Sequence, residues 1–146
     1  MNSKTVKDIM TTNCATVTLQ DNVYEVAVAM SKQDVGFIPV VEGKQLIGCI
    51  TDRDLVVRGY AQKNEGSAKV EKVMSRDVTT VTPDTTVDEA AKIMADKQIR
   101  RLPVVENGNL AGVVSIGDLA IRKIFENEAG DALSKISENE FAGAVH

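Results

Sequence analysis

Two short constellations in this chain have residue types that could do chemistry: Gly48-x-x-Thr51-x-x-Asp54 and Gly112-x-x-Ser115-x-x-Asp118. Each sets a glycine in a predicted strand, a hydroxyl at the start of the following helix and a carboxylate three positions on. A glycine inside a strand lets another group approach closely. A helix start offers free N–H groups and the positive end of a dipole to an anion. The same Thr/Ser-x-x-Asp spacing is also a capping arrangement, worth ~1 kcal/mol without any ligand. Recurrence at the same place, each time after a Gly-containing strand, favours a shared role beyond capping.

Other reactive groups are few. Asp52 and Asp54 resemble a paired acid and base, but Ile116 stands where a second Asp52 would be, so a shared catalytic pair is not expected. The only histidine is His146, which argues against histidine-dependent triads and His-rich metal sites. Cys14 and Cys49 are matched by Val78 and Val113, which reads them as buried reduced thiols rather than disulfide or metal ligands. No catalytic and no metal residue is assigned, and the chain is not expected to be an enzyme.

These motifs belong to an internal repeat: Val6 to Arg58 falls on Val70 to Arg122 without a gap. "VTLQDNVYEVAVAM" lands on "VTPDTTVDEAAKIM", "FIPVVE" on "RLPVVE" and "LIGCITDRDL" on "LAGVVSIGDL". A fixed-period self-match decides architecture before any single motif does. Copies of about 55 residues lie near the lower limit for a self-sufficient core, so the two are expected to pack on each other.

The elements that must position the motifs can be read in each copy. Val23, Val26, Ala27 and Met30 recur at helical spacing, as do Val87, Ala90, Ala91 and Met94. Asn22 with Glu25, and Thr86 with Glu89, have the spacing of an N-cap and its reciprocal partner. "FIPVVE" and "QLIGCI" flank "EGK", a hairpin signal, and "RLPVVE" and "NLAGVV" flank "NGN". A second helix opens at Thr51 or Ser115, with Leu55 and Val56, or Leu119, Ile121 and Ile124, expected inward. Val6–Met10 and Val70–Met74 read as short lead-in turns. The expected organisation is a first motif over 6–58, a connection over 59–69, a second motif over 70–124 and an acidic tail over 125–146.

Composition bounds the partners. The chain is 43% hydrophobic but only 3% aromatic, so its core must be built from Val, Ile, Leu, Ala and Met. A net charge of −4 without a basic stripe disfavours nucleic acid. No apolar run suggests a membrane span, and "MNSKTVKDIM" lacks the apolar stretch of a secretory signal, so a cytoplasmic location is expected.

The order "VKDIMT…VTLQDNVYEVAVAM…GFIPVVEGKQLIGCITDRDL" resembles a cystathionine-β-synthase (CBS) motif, and the chain from about Val6 to Arg122 resembles a tandem CBS pair, or Bateman module. The resemblance implies an α+β fold of two pseudo-symmetric β-α-β-β-α motifs packed sheet to sheet. It also implies flat homodimers and an energy- or metabolite-sensing role, with AMP, ADP, ATP or S-adenosylmethionine as ligand and no required cofactor. Carried over residue by residue, one cleft would combine Thr51 and Asp54 with Thr79, Thr80, Ile99, Arg100 and Pro103. The other would combine Ser115 and Asp118 with Ala15, Thr16, Val35, Gly36 and Pro39, and Arg53 would assist the opposite cleft. An ionised Asp suits ribose because it only accepts hydrogen bonds, and a guanidinium suits phosphate. Arg100 stands where the first copy has Gly36, so its cleft is expected to prefer a phosphorylated adenosine. The regulated protein is not named by any residue pattern. An interaction scaffold with vestigial nucleotide clefts is the alternative reading.

Overall fold

Six residues set the two helix starts and stops on which the fold is built. The Asn22 side chain accepts from the Glu25 N–H at 2.9 Å while Glu25 Oε1 accepts from the Asn22 N–H at 3.2 Å, opening α1 (Val23–Gln33). Thr86 and Glu89 repeat that reciprocal pair at the start of α3 (Val87–Lys97). Each helix stops at a left-handed residue, Asp34 with φ 55° and Gln98 with φ 54°, a common way to satisfy the last carbonyls. The structure is a computed structural model that describes residues 4–126, with side chains described as far as Ile121. The acidic tail expected over 125–146 lies, beyond Glu126, outside the described residues, as does the side chain of Ile124.

The fold is mixed α+β. β1 (Phe37–Glu42) and β2 (Gln45–Thr51) form an antiparallel hairpin in which Phe37 faces Thr51 and Val40 faces Gly48, with a bulge after Val40. A short α2 (Asp52–Asp54) follows and widens into a π-helical turn over Leu55–Gly59. The second copy repeats the order with β3 (Arg101–Glu106), its neighbour β4 (Asn109–Ser115) and α4 (Ile116–Glu126).

The chain divides into two units, and they do not follow the sequence copies. Unit one comprises Asn13–Thr79 with Val105–Leu110; unit two comprises, among the described residues, 4–12, Thr80–Val104 and 111–126. The lead-in turn of each copy therefore belongs with the body of the other. Val70, Val73 and Met74 pack into the core of unit one beside Val17, Val26, Met30, Ile38, Val40 and Ile50. Val6, with Ile9 and Met10 against it, completes the core of unit two beside Val81, Ala90, Met94, Leu102, Val104, Val114 and Leu119.

The glycine of each motif is explained by that arrangement. Ser75 and Cys49 exchange backbone hydrogen bonds of 2.9 Å, as do Thr11 and Val113. A Cβ on Gly48 would lie 2.7 Å from the Ser75 carbonyl oxygen, and one on Gly112 would lie 2.7 Å from that of Thr11. The group that these glycines admit is a segment of the chain's own backbone.

Two sequence expectations need adjustment. Ala27 is exposed, because α1 turns Val26, Met30 and the partly buried Ala29 toward the core. Val56 is 61% exposed rather than inward, since the π-helical winding carries Leu55 into the core and leaves Val56 outside. The connection over 59–69 supports α1. Its Ala68 and Gly66 carbonyls accept from the Val23 and Tyr24 N–H groups at 2.9 Å, satisfying donors that the first turn of α1 cannot pair internally.

Candidate functional site

In unit one the hydroxyl and carboxylate of the motif hold each other through the backbone. Thr51 Oγ1 accepts from the Asp54 N–H at 3.1 Å, and Asp54 Oδ2 accepts from the Thr51 N–H at 2.9 Å. In unit two Ser115 Oγ accepts from the Asp118 N–H at 3.1 Å, and Asp118 Oδ2 accepts from the Ser115 N–H at 2.9 Å. Each pair is a complete capping box, so the capping role of the spacing is realised in both units. It uses one oxygen of each carboxylate. Asp118 Oδ1 takes no hydrogen bond among the described residues, and Asp54 Oδ1 stands 4.0 Å from Arg58 Nε in a part-exposed i,i+4 pair.

The strand starts lie against these helix starts. In unit one the Asp52 N–H donates to the Gly36 carbonyl at 3.0 Å; in unit two the Ile116 N–H donates to that of Arg100 at 2.8 Å. Val35 packs partly buried on the core of unit one and Ile99 on that of unit two. Pro39 is buried and its carbonyl accepts from the Val17 N–H at 3.1 Å; Pro103 is buried and accepts likewise from Val81 at 3.0 Å. Thr16 and Thr80, one residue before those donors, are exposed, whereas Ala15 and Thr79 are half-buried. Arg53 and Arg100 are exposed.

Each of the two residue sets expected from the sequence draws on both units. Inside unit one the structure brings Gly36 to Asp52, with Thr51 and Asp54 on the same turn. Inside unit two it brings Arg100 to Ile116, with Ser115 and Asp118 following. Two neighbours of the motif were not among the expected site residues. Arg58 donates from Nη1 to the Met74 carbonyl at 2.9 Å while facing Asp54, a link that the i,i+4 spacing of Asp54 and Arg58 half-announces. Asp52 places its carboxylate over Gly36, where the sequence offers no signal beyond the exchange with Ile116.

Among the described residues no group of three or more His, Cys, Asp and Glu is placed to hold a metal ion, and no helix is long and apolar enough to cross a membrane. The thiols are free, and both are half-buried rather than buried as the sequence suggests. Burial, with the Asp54 charge second and Arg58 opposing, pushes the Cys49 thiol up to about 11, and burial raises Cys14. At pH 8 a thiol of that kind is thiolate in about one molecule in a thousand. Alkylation of Cys49 by iodoacetamide at pH 8 should therefore be far slower in native protein than in denaturant; equal rates would contradict its partial burial and raised pKa. Since the folded value lies above the ordinary 9.0, this group's contribution to stability is complete below pH 9 and fades as pH rises toward 11.

The CBS domain model matches the sequence twice, over residues 6–59 and 70–123. The chain belongs to the CBS domain family. It is 45% identical over 137 residues to the uncharacterized protein YlbB of Bacillus subtilis, covering 92% of this chain and 93% of that one. Among solved structures, it is similar to the CBS domain pair of protein MJ0100 in complex with 5-methylthioadenosine and S-adenosyl-L-methionine. That match has 26% identity and a TM-score of 0.77 and covers 86% of this chain and 100% of that one. CBSX2 in complex with AMP matches with 25% identity and a TM-score of 0.74, covering 83% of this chain and 96% of that one. This CBS pair thus has relatives that are known with adenosine-containing ligands.

Proposed function

We propose that this CBS pair is a regulatory module that binds an adenosine-containing ligand at the hydroxyl–carboxylate edge of its units and signals by conformation or association, without turning the ligand over. The observation that carries the reading is the recurrence of one hydrogen-bonded Thr/Ser–Asp pair, each beside a strand start, in both units. The ligands held by MJ0100 and CBSX2 support it. With Oδ2 engaged in the cap, Oδ1 remains to receive ribose hydroxyls, and such charge-assisted bonds contribute about 1.5–3 kcal/mol each. Val35 and Ile99 offer apolar surface for the base, and the hydroxyls of Thr16 and Thr80 lie on exposed residues. Pro39 and Pro103 lie within β1 and β3, and Ala15 and Thr79 stand two residues before the Val17 and Val81 whose N–H groups donate to those prolines.

A ligand shifts such a module only by its difference in affinity for two states. The reading therefore includes a separate regulated protein, or a homodimer, as the receiver, in a cytoplasmic energy- or metabolite-sensing role. A second reading, an interaction scaffold whose nucleotide sites are vestigial, is favoured by the exposed apolar side chains Val56, Val57 and Tyr60 on one stretch of unit one.

Calorimetry and thermal shift with adenosine, AMP, ADP, ATP, S-adenosylmethionine and NADH separate these readings. A Kd near micromolar, about −8 kcal/mol, is expected for at least one adenosyl ligand. Asp54→Asn and Asp118→Asn keep an oxygen for the cap and remove the charge, so each should cost its own site about 10-fold or more at little cost in melting temperature. No binding by any compound would favour the scaffold, and steady turnover of ATP would overturn a purely regulatory module.

A further inference from the structure

The two lead-in segments occupy equivalent places and are held unequally. In unit two Val113 commits both its N–H and its carbonyl to Thr11, each at 2.9 Å; in unit one Cys49 commits both to Ser75 at the same distance. Each exchange lies two residues before the motif hydroxyl, Ser115 or Thr51. What differs is the burial around it. Val70, Val73 and Met74 are all buried and Ser75 is half-buried, whereas in the equivalent run only Val6 is buried. Ile9 and Met10 are half-buried, and Thr11 is exposed. The covalent connections differ too. The chain on both sides of Val70–Ser75 belongs to unit one, so that segment is continuous with the unit it completes. Residues 4–12 run on into Asn13–Thr79, all of unit one, and unit two resumes only at Thr80. The segment can therefore leave its place without carrying along any other part of unit two.

We infer that residues 4–12 form a strap that opens while the rest of unit two stays folded, and that its closure braces the Ser115–Asp118 pair. Local opening is drawn from segments with few buried apolar contacts, which describes this strap and not Val70–Ser75. The strap is fastened by the buried Val6 side chain and a short series of backbone bonds. The Val6 N–H donates to the Thr85 carbonyl at 2.9 Å and the Lys7 N–H to that of Pro83 at 3.3 Å. The Val87 N–H donates to the Lys4 carbonyl at 2.9 Å, and Thr11 and Val113 complete the set. When the strap lifts, β4 loses its partner at Val113, and Gly112 loses the Thr11 carbonyl that lies over it. The turn carrying Ser115 and Asp118 then keeps the Ile116 bond to the Arg100 carbonyl but loses its tie two residues upstream. As a regulatory device this rests on the adenosine reading above: a ligand held at Asp118 favours the closed strap, and by linkage the closed strap favours the ligand.

Native-state hydrogen exchange on the full chain, read amide by amide, tests this. In ligand-free protein Thr11 and Val113 should exchange at least about 10-fold faster than Ser75 and Cys49. Low urea should leave the Thr11 and Val113 rates nearly unchanged, because lifting the strap exposes little surface. The same urea should speed Val81, whose N–H donates to the Pro103 carbonyl at 3.0 Å within unit two. Val6→Ala should speed Thr11, Val113, Ser115 and Asp118 together by about 10-fold, and Ile9→Ala, a milder change, should move the same amides in the same direction. Thr11 and Val113 as slow as Ser75 and Cys49, or as steeply dependent on urea as Val81, would mean that the strap opens only with its unit. Ser115 and Asp118 unmoved where Thr11 and Val113 speed up would overturn the bracing. Saturating AMP should slow Thr11 and Val113 in wild-type protein by about 10-fold and leave them unchanged in Asp118→Asn. AMP bound by calorimetry without slowing these amides would overturn the link to the ligand. Failure of AMP and S-adenosylmethionine to bind at all would overturn the proposed function, while the ligand-free rates still decide the strap.

Discussion

A chain ending at Lys69 will not unfold cooperatively, although it contains the whole first copy of the repeat. Its core lacks Val70 and Val73, both fully buried, and Met74, 6% exposed. Burying one such side chain contributes about 1.5–3 kcal/mol, so the three together approach the 5–15 kcal/mol that holds a typical domain folded. The loss also removes the Ser75 backbone that pairs with Cys49 and the Met74 carbonyl that receives Arg58. At the other end Val6, 0% exposed in the intact chain, would be left without the core of unit two. Circular dichroism against urea should show a broad, non-cooperative curve for residues 1–69. A sharp transition would mean that the lead-in segments are dispensable. Val70→Asp in the full chain is the matching point change, because it places an unpaired carboxylate in an apolar core.

The second large effect is expected at Gly112. Alanine in a strand ordinarily gains roughly 0.5–1 kcal/mol over glycine, so a loss here has diagnostic sign. The added methyl would sit 2.7 Å from the Thr11 carbonyl oxygen, 2.9 Å from Met10 Sδ and 3.1 Å from its Cγ. Methionine can move, but the Thr11 carbonyl is fixed by its exchange of hydrogen bonds with Val113. Overpacking of this kind costs about 1–3 kcal/mol, which for a chain of this size lowers the melting temperature by roughly 3–10 °C. Gly48→Ala should cost somewhat less, because Met74 Sδ lies farther away at 3.4 Å. Gly36→Ala is the control, since the three nearest atoms in its way all belong to the Asp52 side chain. Calorimetric melting of the three variants decides it, and an unchanged Gly112→Ala would contradict the close approach.

The glycines show how a correct motif can be read for an incomplete reason. The spacing of Gly48, Thr51 and Asp54 marks a place where backbone comes close and a helix begins. Whether the approaching group is a ligand or the chain itself depends on which segment lies across the strand. That segment, Ser75 or Thr11, is distant in sequence from the glycine it covers. Likewise, an i,i+4 pair such as Asp54 and Arg58 can be seen in the string, whereas the Met74 carbonyl that holds Arg58 cannot.

Local chemistry was legible without coordinates because its causes are local. The reciprocal caps of Asn22 with Glu25 and Thr86 with Glu89, the hairpins around Gly43 and Gly108, and the Thr51–Asp54 and Ser115–Asp118 pairs all act within three residues or one turn. The repeat announced that these caps, hairpins and motif pairs would each form twice. Tertiary structure alone decided which lead-in turn completes which core. Val6 and Val70 are equivalent in pattern and in burial, so periodicity gives neither a preferred partner, and the choice is made by long-range packing. It also decided that Asp52 lies over Gly36, a contact between a strand start and a helix start that meet only when the hairpin closes.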